Sequence, residues 1–164
     1  MTAGKTIARL FVAALAFSSA ALATKLTDKA ALAGLHQAKA IFLISSRQPV
    51  AVEHIVKLIA LTRRQLLAQK VTPHFIVTFI GPNVAFLTRK RRGIPYTDER
   101  AVANIQKGIA QLSHKGIQVQ ACGVALHGMD VNPRTLMAHV TPVANGFISV
   151  IAYQEKGYAL VPVS

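Results

Sequence analysis

The stretch KAIFLISSRQPVAVEHIVKLIALTRRQLLAQKVTPHFIVTFIG, residues 39–81, decides the fold class of this chain. Its two ends, residues 39–46 and 74–81, are continuous apolar runs rich in branched and aromatic side chains, which is typical of strands covered on both faces. The apolar residues between them recur at helical spacing and form one stripe, made of Val52, Ile55, Val56, Ile59 and Leu66. The stretch therefore predicts a strand, a helix and a second strand parallel to the first.

Three further strands are predicted downstream of this unit. The run GIQVQACG, residues 116–123, is partly alternating, and shorter candidates lie at residues 139–143 and 158–163. Pro162 favours an edge position for the last strand, because proline has no N–H to donate to a neighbour.

Helical patterns separate these strands. Residues 98–116 begin at the predicted cap residue Asp98, and residues 145–157 begin at the predicted cap residue Asn145. This alternation predicts an α/β fold, a three-layer sandwich with a mostly parallel five-stranded sheet and helices on both faces. Because no repeat or linker divides residues 24–164, we expect a single domain there.

The first 23 residues have the features of an export signal. Lys5 and Arg9 make the start positive, an apolar run extends from Leu10 to Ala16, and small residues follow up to Ala23. The apolar run is shorter than the ~20 residues that a spanning helix needs, which favours a cleaved signal over a retained anchor. We therefore expect residues 1–23 to be a signal peptide and the protein to be periplasmic or secreted.

The chain is strongly basic, with 19 lysines and arginines against six acidic residues and a formal net charge of +13. Such a charge attracts anions and acidic macromolecules. The expected export argues against nucleic acid, so small anions, small sulfur anions among them, and acidic proteins remain as partners. The outer face of an anionic membrane stays open as a partner, although we do not expect membrane association. The alternative is a solvated basic surface with no dedicated partner.

The only cysteine, Cys122, stands where the third strand ends, directly before Gly123. Ligands of parallel sheets bind at this edge, and N–H groups of the following segment can stabilise a thiolate or persulfide. Gly123 allows close approach to the backbone, and His127 in the predicted loop can supply a proton. The alternative is a buried structural cysteine, because free cysteine is among the most buried residue types.

Two more features lie after predicted strands. The run Arg89, Lys90, Arg91 and Arg92 is a candidate docking site for an anion or an acidic partner, and Asn83 follows the strand that ends at residue 81. A simple solvated run is the alternative. The sequence contains no phosphate-loop, dinucleotide or hydrolase-elbow motif, and its histidines lack metal-ligand spacing. We therefore expect neither a cofactor nor a metal.

The last third of the chain resembles the DsrE/DsrF-like family of small sulfur-relay proteins, in particular its single-domain branch. The stretch FIGPNVAFLT, residues 79–88, extends the resemblance upstream, so that it covers roughly residues 39–163. It rests on Cys122, Gly123, Pro133, Leu136, Val140, Pro142, Val143, Gly146, Gln154, Gly157, Tyr158, Ala159 and Pro162.

The resemblance implies a DsrE-like fold, a homo-oligomer that is a trimer or a hexamer, and Cys122 as the carrier of sulfane sulfur in a persulfide. Relatives often have a second cysteine or an arginine soon after the active one, where this chain has Val124, Ala125 and His127, and most are cytoplasmic. The first functional hypothesis is a sulfur-handling protein that serves a thiol-bearing partner in a periplasmic sulfur relay or in sulfur oxidation. The second is a non-catalytic basic scaffold of the same fold that docks an acidic redox partner or a membrane surface.

Overall fold

A computed structural model describes residues 26–90 and 93–164 of the chain. Within them, five strands form one sheet in the order β4-β3-β2-β1-β5, and every neighbouring pair is parallel. The predicted α/β fold is confirmed, and the sheet is fully parallel. The predicted signal peptide, residues 1–23, lies outside the described residues and stays a prediction. The strands are β1 (Gln37–Ile44), β2 (Thr72–Phe79), β3 (Gln118–Cys122), β4 (Val140–Val143) and β5 (Ala159–Val163).

Helices connect the strands: α1 (Pro49–Ala68), α2 (Glu99–His114), α3 (Gly123–Gly128) and α4 (Gly146–Glu155). Short 3₁₀ segments occupy Gly81–Leu87, Tyr96–Asp98 and Pro133–Thr135. Among the residues described, no helix is both long enough and apolar enough to cross a membrane.

Of the two predicted cap residues, one makes a capping hydrogen bond and the other does not. Asn145 caps α4, because its side chain accepts a hydrogen bond from the Phe147 N–H at 2.9 Å. Asp98 makes no side-chain cap hydrogen bond to α2. Its own backbone is already helical, since it ends the preceding 3₁₀ segment, whereas a capping side chain needs an extended residue.

The main hydrophobic core lies between the sheet and the helices α1 and α2. Strand alternation sends Phe42 and Ile44 of β1 and Val119 and Ala121 of β3 into it. The layer between the sheet and α4 is much thinner, with a buried apolar cluster of Ile41, Ile76 and Val150. The same alternation points Gln118, Gln120 and Cys122 of β3 towards α4, so this second layer contains the predicted site.

Candidate functional site

Cys122 is the last residue of β3 and lies beneath the start of α4. Its side chain is buried, with 5% of the residue exposed. The backbone N–H of Gly146, the first residue of α4, donates a hydrogen bond to Cys122 Sγ at 3.2 Å. The structure therefore places the thiol at the edge of the sheet where ligands are expected, at a helix N-terminus, but covers it.

Two close approaches hold the turn between β4 and α4 against Cys122. A β-carbon added at Gly146 would lie 2.8 Å from Ile80 Cγ2 and 3.1 Å from Cys122 Cβ. One added at Gly123 would lie 2.8 Å from the Val143 carbonyl oxygen and 2.9 Å from that of Ala144. Only glycine fits at both positions, so glycine is required on either side of the thiol.

The N-terminus of α4 provides a hydrogen-bond donor for the Sγ atom. The first N–H groups of a helix have no partner within the helix, and together they carry a partial positive charge. Here one of them is directed at the sulfur, and a hydrogen bond to a charged acceptor is stronger than one to a neutral acceptor. The site therefore offers a backbone hydrogen-bond donor to the sulfur atom of Cys122.

A row of hydrogen bonds continues from this contact along the interface between β3 and α4, and we call it the β3–α4 seam. The Ser149 hydroxyl and the Thr78 hydroxyl of β2 both donate to Gln120 Oε1. Further along, the Tyr153 hydroxyl donates to Gln118 Oε1 at 2.8 Å. Burial raises the pKa of the Tyr153 hydroxyl, so this group keeps its proton and remains a donor.

The opposite face of α4 is apolar and exposed. Phe147 is 59% exposed, Ile148 63% and Ile151 60%. A surface helix of a globular protein normally has the reverse pattern, with its apolar stripe towards the core. This exposed apolar face was not predicted from the sequence. The sequence contains the pattern, since glycine, serine and tyrosine at positions 146, 149 and 153 share one helical face, and Phe147, Ile148 and Ile151 share another.

His127 lies in α3 and not in a loop, because the chain turns into a helix immediately after Cys122. Its side chain is exposed and borders a cavity of about 260 Å³ beside Gly123, together with Asp130 and Asn132. The residues that line this cavity do not include Cys122. His127 therefore lies on the helix that directly follows Cys122. Among the hydrogen bonds of the described residues, none joins His127 to Cys122 Sγ.

Arg89, the first residue of the basic run, packs on the segment that follows α3. The Arg89 backbone N–H donates to the Thr135 carbonyl at 2.8 Å, and its guanidinium donates to the Arg134 carbonyl at 2.7 Å. Lys90 borders a cavity of about 440 Å³ that shares residues 130–132 with the cavity beside His127. Arg91 and Arg92 lie outside the described residues. The structure thus brings Lys90 and His127 to adjoining cavities, neither of which is lined by Cys122.

Asn83 is fully buried at the carboxyl end of β1. Its Nδ2 donates to the carbonyl oxygens of Ile44 at 3.0 Å and Ser46 at 3.1 Å, while its Oδ1 has no hydrogen-bond partner among the residues described. An anion needs hydrogen-bond donors, and both amide hydrogens are already used. The geometry therefore favours a bracing role for Asn83, which ties the 3₁₀ segment after β2 to the end of β1.

Comparison with known proteins identifies the family. The sequence profile of the DsrE/DsrF-like family matches residues 11–163. Among curated proteins, none matches the sequence significantly.

Solved structures share the fold at low sequence identity. A protein of unknown function, MTH1491 from Methanobacterium thermoautotrophicum, is 18% identical with a TM-score of 0.58, and the match covers 76% of this chain and 98% of that protein. The ychN protein from E. coli is 15% identical with a TM-score of 0.55 and the same coverages, 76% and 98%. At these identities the structures establish the fold alone, while the profile match spans nearly the whole chain. The chain belongs to the DsrE/DsrF-like family.

Proposed function

We propose that this protein carries sulfane sulfur as a persulfide on Cys122 and transfers it to an acceptor thiol. The observation that carries the proposal is the hydrogen bond from the Gly146 N–H to Cys122 Sγ at the N-terminus of α4. It provides a donor for an anionic sulfur on the only cysteine of a chain that belongs to a family of sulfur-relay proteins.

The chemistry consists of two displacements at sulfur. The Cys122 thiolate attacks the outer sulfur of thiosulfate, the S–S bond of thiosulfate breaks, and sulfite leaves with the electron pair of that bond. The product is a persulfide anion on Cys122. The thiolate of an acceptor then attacks the terminal sulfur, takes it as a new persulfide, and restores the Cys122 thiolate. Neither step needs an external oxidant or reductant.

Access to the thiol requires a movement of the chain, because Cys122 is buried under the Ala144–Gly146 turn. The β3–α4 seam makes α4 the natural element to move. Its contacts with the sheet include hydrogen bonds from Ser149 and Tyr153, which water can replace when the helix moves, and the apolar cluster beneath it is small. We therefore include a displacement of the N-terminus of α4 in the proposed cycle.

The proposed setting is the periplasm, as a module of a sulfur relay or of sulfur oxidation. The features that support it are the signal-like residues 1–23 and the net charge of +13, which favours encounter with thiosulfate or polysulfide anions. Under the alternative function, a basic scaffold without covalent chemistry, the buried thiol would have only a packing role.

Sulfur uptake by the purified chain tests the proposal. After incubation with thiosulfate, and separately with inorganic polysulfide, the intact mass is expected to rise by one sulfur atom per chain. A thiol reductant should reverse the increase, and a persulfide-selective tag should map to the peptide that contains Cys122. An unchanged mass with both donors would reject the persulfide and leave the scaffold function.

We also propose that the exposed face of α4 is covered by a second copy of this chain, in a trimer or a hexamer. Phe147, Ile148 and Ile151 form an uncharged apolar patch on a protein whose surface is otherwise strongly basic. Copies with the same positive charge repel each other, so they can associate best through such a patch. The partner would then lie against the helix that covers Cys122.

A charge placed in this patch is expected to dissociate the oligomer. Ile151→Glu would bury an unpaired carboxylate at the interface, and light scattering after size-exclusion chromatography should shift from the oligomer mass to the monomer mass. Leu58→Glu is the matched control, because Leu58 is an exposed aliphatic residue, 43% accessible, on α1 at the other face of the sheet. A wild-type chain that is monomeric at micromolar concentration would contradict the proposal.

A further inference from the structure

A groove runs between α1 and α2 on the face of the sheet opposite to α4. It has a volume of about 460 Å³. The α2 side follows one helical stripe from Asn104 to Lys115, and at 1.5 Å per residue this stripe is roughly 16 Å long. The residues that line the groove are Val56, Lys57, Ala60, Arg64, Asn104, Lys107, Gly108, Gln111 and Lys115.

The floor of the groove is apolar because small residues meet there. Ala60 of α1 and Gly108 of α2 leave the space between the helices open, and buried Val56 closes it below. Gly108 lies so close to Val56 that an added β-carbon would overlap the valine side chain. The depression is therefore a consequence of the helix packing itself and does not depend on a surface loop.

The rim of the groove is cationic. Arg64, Lys107 and Lys115 border it, and none of them forms a salt bridge within the described residues. Among the basic residues that line the groove, Lys57 differs because it forms a salt bridge with Glu53. The hydrogen bond from Lys57 lowers the pKa of the Glu53 carboxyl. The chain has only six acidic residues to set against 19 lysines and arginines, so its own sequence offers few counter-ions for this rim.

We propose that this groove binds an acidic segment of a partner polypeptide, which places carboxylates on the rim and small aliphatic side chains on the floor. A groove of roughly 16 Å holds about five residues of extended chain at 3.3 Å each. Alternate side chains of such a segment point to opposite sides, which matches an apolar floor below a charged rim. This site is separate from Cys122 and does not depend on the sulfur chemistry proposed above.

The shape and composition of the groove favour a polypeptide over other anionic macromolecules. A lipid surface is flat and would contact the crests of α1 and α2, not the depression between them. Single-stranded nucleic acid binds through stacking on aromatic side chains, and none of the lining residues is aromatic. Lysine and arginine above an alanine and glycine floor fit a carboxylate-bearing chain.

Fluorescence anisotropy with a labelled peptide of alternating glutamate and alanine tests this proposal on the full chain. The wild type is expected to bind this peptide and not the matched peptide of alternating glutamine and alanine. The triple variant Arg64→Gln, Lys107→Gln and Lys115→Gln should weaken binding about tenfold, since each exposed ion pair contributes modestly. The matched triple Lys29→Gln, Lys70→Gln and Lys156→Gln removes the same charge outside the groove and should weaken binding less than about twofold.

A charge-neutral variant separates a specific groove from general attraction to a basic surface. Ala60→Leu leaves every charge in place and fills the floor, so binding of the acidic peptide should weaken at least about fivefold. Circular dichroism and thermal unfolding confirm that each variant is folded. Equal losses in the two triple variants, or full binding by Ala60→Leu, would overturn the proposal. Binding of phosphatidylglycerol vesicles or of a thymidine oligonucleotide in place of the peptide would overturn it as well.

Discussion

Gly123→Ala is expected to lower the free energy of unfolding by about 3 kcal/mol, the upper part of the range for overpacking in a well-packed interior. The new β-carbon would lie within 2.9 Å of two backbone carbonyl oxygens, those of Val143 and Ala144. Backbone atoms cannot rotate away as side chains can, so the end of β4 would have to move from β3. In a domain of this size, a thermal scan should show a midpoint lower by about 3 °C per kcal/mol.

Gly128→Ala is the matched control for this prediction. Gly123 and Gly128 are the first and last residues of α3, but a β-carbon at Gly128 would meet no atom within 4 Å. Alanine there should leave the unfolding free energy within about 0.5 kcal/mol of the wild type, since surface substitutions of this kind are nearly neutral. If both variants unfold at the same temperature as the wild type, the result would contradict the close contact of the Val143 and Ala144 carbonyl oxygens with Gly123.

The fold could be predicted from the sequence because its signals are local and strong. The second halves of β1 and β2 are mostly apolar and buried, and a helix covering one face of them must have one apolar stripe. Both properties are visible in the stretch from residue 39 to residue 81. The order of the strands is not visible there, because it depends on which edges pack against which helices. The six-residue helix α3 was also missed, since it is too short to establish a helical period.

The position of the candidate site was predictable, but its environment was not. A cysteine at the end of a buried strand must lie at the carboxyl edge of a parallel sheet, and Cys122 does. Its burial, however, depends on Gly146, which is 24 residues further along the chain. No local pattern around Cys122 indicates which segment will cover it. For the same reason the sequence could not tell how far the run at Arg89 and Lys90 lies from the sulfur.

The pattern of α4 connects the burial of the thiol with the proposed assembly. Its polar residues contact the sheet through the β3–α4 seam, and of its larger apolar residues only Val150 is buried. A helix with this orientation gains little from its contact with its own domain, since the apolar cluster beneath it is small. Burial of Phe147, Ile148 and Ile151 against another copy would contribute more, at roughly 25 cal/mol for each Å² of apolar surface. Assembly and access to Cys122 would then be coupled through one helix.

Cys122→Ser is expected to abolish sulfur uptake from thiosulfate and from polysulfide while the chain stays folded. The variant has no thiol, because Cys122 is the only cysteine. A serine hydroxyl remains a possible acceptor for the Gly146 N–H, so the contact between β3 and α4 can be kept. We expect its unfolding free energy to lie within about 1 kcal/mol of the wild-type value, which separates a loss of chemistry from a loss of structure.

The control variant Gly128→Ala shows whether a loss of sulfur uptake in Cys122→Ser is due to the missing thiol. Gly128→Ala retains the thiol and should take up one sulfur atom per chain at the wild-type rate, as measured by intact mass over time. Sulfur that stays with Cys122→Ser through gel filtration would have to be held without a covalent bond to cysteine, which would contradict the persulfide. Full uptake by the wild type and none by a folded Cys122→Ser would instead require the buried thiol to become accessible. In that case, the conformation in which α4 covers Cys122 is one step of the functional cycle. The burial of Cys122 would then not indicate a purely structural cysteine.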